Sequence, residues 1–210
     1  MKRVLLLLPN GFEVLEAAAF LDVLGWADAY GCERIEVVTG ALHSEVRSTF
    51  HLEVIPAMHL KDVSIEAFDA AAVPGGFERA GYYDDAYTEE FLDTIRRFKA
   101  AGKPIASICV GALPLAKSGI LAGVRATTYP MGGGKRKRQL AEMGAEVADE
   151  EIVRDNNVIT STSPATAVDV AFALLEILTS RENADKIREL MGFRASPPAS
   201  DVKRTRRAGR

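Results

Sequence analysis

The amino-acid sequence predicts an α/β fold: a mostly parallel sheet with helices on both faces. Three observations lead there. Short apolar runs alternate with longer segments of helical spacing. The first run, Val4-Leu5-Leu6-Leu7-Leu8, shows no polar alternation, which marks a strand buried on both faces. Three runs end in unusual turns, at Pro9-Asn10-Gly11, Pro74-Gly75-Gly76 and Cys109-Val110-Gly111. In sheets of this kind, ligands bind beyond the carboxyl ends of the strands.

The elements follow in chain order. Arg3–Leu8 reads as a buried strand, and Glu13–Tyr30 has helical spacing stopped by Gly31. Ile35–Thr39 is a second strand. Residues 41–60 read as two short strands in an irregular excursion. Ala70–Val73 is a buried strand, Thr88–Ala101 a helix closed by Gly102, and Pro104–Ile108 another buried strand. A helix follows to about Ser118. Ala126–Thr128 is a short strand and Gly134–Met143 a polar helix. Glu151–Arg154 and Val158–Ser161 flank Asp155-Asn156-Asn157, a hairpin signal. Thr166–Leu178 is amphipathic, and Asn183–Met191 is a last helix.

Length and composition bound the function. A chain of 210 residues suits one domain, and 48% hydrophobic residues suffice for a core. Two cysteines, Cys32 and Cys109, are too few for a disulfide scaffold or a structural zinc site. A reduced, cytoplasmic setting is expected, with no metal and no cofactor. No apolar run comes near the length of a membrane span, and Glu13 and Glu16 stand where a signal cleavage site would lie after the run Val4–Leu8. Residues 194–210 hold six Arg or Lys against one Asp, whereas the rest holds 20 basic and 28 acidic residues. An acidic body is a poor nucleic-acid binder. The domain is expected to span 1–193, with 194–210 a solvated basic tail.

The sharpest chemical feature is Ser107-Ile108-Cys109-Val110-Gly111, a nucleophile elbow with Cys in place of Ser. A helix N-terminus there would favour the thiolate. The amides of Gly76 and Val110 are candidate oxyanion donors beside the sulfur, with Gly75 in the same turn. Glu16 sits among Leu15, Ala17, Ala18 and Ala19, where a carboxyl that leaves water has a raised pKa. It would donate to the sulfur when protonated and act as a base when ionised. Glu13 reads as a first-turn carboxylate. His43, His51 and His59 match no metal spacing and read as surface or strand residues. Gly132-Gly133-Gly134-Lys135-Arg136-Lys137-Arg138 fails the phosphate-loop pattern, because Tyr129 and Arg136 occupy its required Gly and Ser/Thr positions. It reads as the solvated start of a helix that could help recruit an anionic substrate.

LLPNGFEVLEA, VPGG, ASICVGALPLAKSGIL, TTYP and TSTSPATAVDVAFALLEIL together resemble the ThiJ/PfpI superfamily, which includes a parkinsonism-associated deglycase. The resemblance spans about residues 1–193. It implies a flavodoxin-like α/β sandwich, commonly a homodimer, with Cys109 as nucleophile, Glu16 as its carboxyl partner and the amides of Gly76 and Val110 as oxyanion donors. The implied activity is cofactor-free attack on small reactive carbonyls or their adducts, of glyoxalase or deglycase type. The alternative is a redox-responsive stress protein whose Cys109 oxidises to sulfinate. A peptidase or amidase is disfavoured because Val110 stands where that branch has His. An isocyanide hydratase is disfavoured because that branch has Asp where Glu16 stands. Tyr129 replaces a His of the deglycase branch and is a candidate substrate contact.

Overall fold

The structure, a computed structural model, describes residues 1–193. The basic segment 194–210, expected as a solvated tail, lies outside the described residues.

The strands are β1 (Lys2–Leu7), β2 (Ile35–Ala41), β3 (Val46–Arg47), β4 (Glu53–Val54), β5 (Met58–His59) and β6 (Ala70–Val73). They continue with β7 (Ile105–Ser107), β8 (Arg125–Ala126), β9 (Glu146–Val147), β10 (Ile152–Asp155) and β11 (Val158–Ser161). Seven of them form the central sheet, in the order β10-β11-β7-β6-β1-β2-β5. Every neighbouring pair is parallel except β10 with β11. Within it, β2-β1-β6-β7-β11 has the flavodoxin-like winding, whose strand order reverses between β1 and β6. A crevice opens at such a reversal.

The helices are α1 (Val14–Tyr30), α2 (Tyr82–Ala86), α3 (Glu89–Ala100), α4 (Ala112–Lys117), α5 (Lys135–Glu142), α6 (Ala167–Leu178) and α7 (Arg181–Leu190). α1, α6 and α7 pack together in one layer, while α3 packs on β6, β7 and α4. The strands are apolar on both sides because both faces are covered: Val4, Leu5, Leu6 and Leu7 are fully buried. α3 buries Phe91, Leu92, Ile95 and Phe98, one stripe at helical spacing. Thr88 Oγ1 caps it by accepting from the Phe91 N–H at 3.4 Å. α7 is capped the same way by Ser180, which accepts from Asn183.

Several expectations shift. Residues 41–60 hold three short strands rather than two. β3 and β4 pair only with each other, and β5 extends the central sheet beside β2. Two-residue pairings carry no readable period. α2 and β9 went unread for the same reason of length. The expected strand Ala126–Thr128 ends at Ala126, because the next two residues bond elsewhere. The Thr127 N–H donates to Thr160 Oγ1 at 2.9 Å, and Thr128 Oγ1 donates to the Cys109 carbonyl at 2.8 Å. The helix expected to about Ser118 runs over Ala112–Lys117, and a 3₁₀ turn at Cys109–Gly111 leads into it. No helix among the described residues is long and apolar enough to cross a membrane.

Candidate active site

Three strand ends meet at the crevice. β7 leaves the sheet through Ile108, still extended, and Cys109 then turns into the left-handed region with φ 56°. A non-glycine residue there costs about 1–2 kcal/mol, so the surroundings must hold it. Gly111 lets the turn close: a Cβ on it would lie 2.6 Å from the Val73 carbonyl oxygen. The Thr128 hydroxyl holds the Cys109 carbonyl from the other side.

The turns after β1 and β6 are zipped together. The Glu13 N–H donates to the Gly75 carbonyl at 2.8 Å, and the Phe77 N–H donates to the Gly11 carbonyl at 3.0 Å. Gly76 admits no side chain, since a Cβ would sit 2.2 Å from the Gly11 oxygen and 2.3 Å from the Tyr82 ring. Tyr82, fully buried, donates its hydroxyl to the Pro74 carbonyl at 2.7 Å.

This zipper carries Glu16 inward on the first turn of α1. Glu16 is 1% exposed. Its Oε2 accepts from the Gly75 N–H at 2.5 Å, and Oε1 is buried with no well-formed hydrogen bond. Gly75 is therefore committed to holding Glu16, and Gly76 is the member of the pair that lines the crevice. Glu16 and the Cys109 thiol line the same cavity, and each shifts the titration of the other. Burial raises the Glu16 pKa to about 8, against the pull of the Gly75 N–H. Burial also pushes the Cys109 thiol up, and the Glu16 carboxylate pushes it further; the Val110 N–H, directed at the sulfur, opposes both. Desolvation thus weighs against the expected thiolate, and the elbow amide weighs for it.

The sulfur is not sealed in. Cys109 is 8% exposed and lines a cavity of about 530 Å³ together with Glu16, Gly76, Val110 and Tyr129. The Gly76 N–H has no hydrogen-bond acceptor among the described residues. No histidine lines this cavity. His43 instead meets Asp85 at 2.9 Å, and His59 accepts from the Lys61 N–H. Among the described residues no group of three or more His, Cys, Asp or Glu could hold a metal ion.

The other wall includes one residue of the basic run expected to start a solvated helix and to help recruit an anionic substrate. Phe77, Glu78, Arg79 and Arg136 also line the cavity. Lys135 is solvated as expected, with a side chain 55% exposed, but Arg136 is only 15% exposed. The available signal was the run Gly132-Gly133-Gly134, whose φ values of 67°, 67° and 73° repeat a conformation that glycine alone adopts freely. It precedes α5 and Arg136.

The sequence profile of the DJ-1/PfpI family matches residues 2–177. Among curated relatives, a Drosophila melanogaster protein named dj-1beta is 30% identical over 190 residues, covering 89% of this chain and 94% of its own. A glutathione-independent glyoxalase of Caenorhabditis elegans is 28% identical, covering 89% and 94%. An isonitrile hydratase of Pseudomonas putida is 29% identical, covering 73% and 63%. The crystal structure of Drosophila melanogaster DJ-1beta superposes with a TM-score of 0.80 at 28% identity, covering 92% of this chain and 98% of that one.

Proposed function

Because the chain belongs to the DJ-1/PfpI family, we propose that it is a cofactor-independent cysteine enzyme acting on small reactive carbonyls or their adducts, through Cys109 with Glu16. Relatives with glyoxalase and isonitrile hydratase names leave the reaction open at this identity. One observation carries the choice: a thiol at an elbow faces a buried carboxyl whose pKa is raised to about 8. That carboxyl can take and return protons near neutral pH.

The steps follow for a 2-oxoaldehyde. The Cys109 sulfur bonds to the aldehyde carbon while its proton passes to the Glu16 carboxylate. The aldehyde oxygen gains the displaced electron pair, is held by the N–H groups of Gly76 and Val110, and is protonated to a hemithioacetal. Glu16, again ionised, removes the proton from that carbon and delivers it to the adjacent one, while the hydroxyl proton passes to the neighbouring oxygen. The product is a thioester of a 2-hydroxy acid. Water cleaves it, freeing the thiol and a 2-hydroxycarboxylate. The aldehyde carbon is oxidised and the neighbouring ketone reduced, so no external electron carrier is needed. Tyr129, at the cavity wall, is proposed as a substrate contact.

Hydroxy-acid formation from methylglyoxal tests this reading. Loss of product in Cys109→Ala is expected; turnover equal to wild type would reject it. A second reading has one favouring observation: protonated Glu16 is placed to donate to a Cys109 sulfinate. Intact-mass measurement after mild peroxide should then show two added oxygens, absent in Cys109→Ala.

A further inference from the structure

Arg136 lines the same cavity as Cys109. Its Nη2 donates to Glu78 Oε2 at 2.7 Å and its Nη1 to Gln139 Oε1 at 2.9 Å. Its guanidinium carbon stands 5.1 Å from the centroid of the Tyr83 ring. Three contacts therefore fix a planar fork that would otherwise lose side-chain freedom on binding an anion.

Glu78 does not cancel the local positive charge. It is shared with Lys135 Nζ at 3.3 Å, and Arg79, also lining the cavity, lies over the Phe77 ring at 5.5 Å. Two cations thus share one carboxylate, and Arg79 adds a third positive charge to the cavity wall. Glu13 and Glu16 line the cavity as well as Glu78, and burial raises the pKa of both. Glu16, raised to about 8, opposes an incoming anion with less than full charge near neutral pH. The volume of about 530 Å³ falls in the range that encloses ligands larger than a three-carbon aldehyde.

We propose that Arg136 is the specificity-determining anchor for a carboxylate on the substrate, so that the site takes 2-oxoaldehydes carrying a carboxylate a few atoms from the reacting carbonyl. This rests on the reading of Cys109 as a carbonyl-attacking nucleophile, and its test separates the two.

In the first arm, kcat/KM is compared for 4,5-dioxopentanoate and its methyl ester. Wild type should prefer the acid, and Arg136→Gln should shrink that preference by about tenfold, the worth of one charge-assisted contact. In the second arm, Cys109 is alkylated with iodoacetate and with iodoacetamide in a Cys32→Ser background. The sulfur displaces iodide in both, so the ratio of rates reports anion recruitment without any turnover. Arg136→Gln should lower the iodoacetate-to-iodoacetamide ratio, and Arg136→Lys should give an intermediate value. Glu78→Gln, which frees the fork, should raise it, and decides the matter if Arg136→Gln does not fold. Ratios unchanged by these substitutions would overturn the anchor, whatever the turnover. A ratio that falls as expected in a protein that turns over neither carbonyl would uphold the anchor and reject the carbonyl reading.

Discussion

Cys109 and Glu16 are each placed at a cost that the rest of the site offsets. Cys109 holds φ at 56°, where glycine is unstrained. Cys109→Gly should therefore be more stable than Cys109→Ala by about 1 kcal/mol, read from urea midpoints. The reverse order would mean that the elbow is not strained. Glu16 titrates near pH 8 because burial dominates its surroundings. With Glu16 as the base that accepts the thiol proton, kcat/KM for a 2-oxoaldehyde should rise with pH through about 8. Glu16→Gln should lose the rise together with most of the activity; a rise that persists in the variant would assign it to another group. Cys109 is legible from the elbow itself, whereas Glu16 and Gly76 are singled out by the family resemblance, because alone an apolar-flanked carboxyl and a Gly-Gly turn read as ordinary features. The commitment of Gly75 to Glu16 is not legible, since it depends on how two turns separated by 59 positions are zipped. The basic run is expected to be solvated yet able to recruit an anion, and the sequence does not say which of its four cations folds inward.

Long elements with a strong period announced themselves, and short ones did not. α3 and α6 each present an apolar stripe over several turns, α1 is legible from its length and its stop at Gly31, and β1 from Val4 onward and all of β6 are apolar. β3, β4, β5, β8 and β9 have two residues each, and nothing local decides their partners. The Thr88 cap of α3 is the clearest test at this scale. Thr88→Ala removes the hydroxyl that accepts from Phe91 and should cost about 1 kcal/mol, with activity retained. An unchanged urea midpoint would show that the cap contributes nothing.

Two properties belong to the whole molecule. α1 is apolar around much of its circumference, and Leu15, Leu21, Trp26 and Tyr30 stay exposed on it. A helix of that character is ordinarily covered on every side, and we propose a second copy of the chain as the cover. Sedimentation should give a dimer that Trp26→Glu converts to a monomer; a monomeric wild type would contradict this. The other property is the pH dependence of stability. A carboxyl whose pKa rises from 4.5 to about 8 on folding binds more protons folded than unfolded between those values. Its stabilising contribution is full below pH 4.5, falls as pH rises, and is exhausted above about 8. The stability difference between wild type and Glu16→Gln should therefore decline across that window. The protonation of Glu16 itself is read most directly by infrared difference spectroscopy of wild type against Glu16→Gln. A protonated-carboxyl band at pH 6 that gives way to carboxylate bands through about pH 8 is the expected result; a Glu16 already ionised at pH 6 would contradict the shared-proton chemistry on which the proposed function depends.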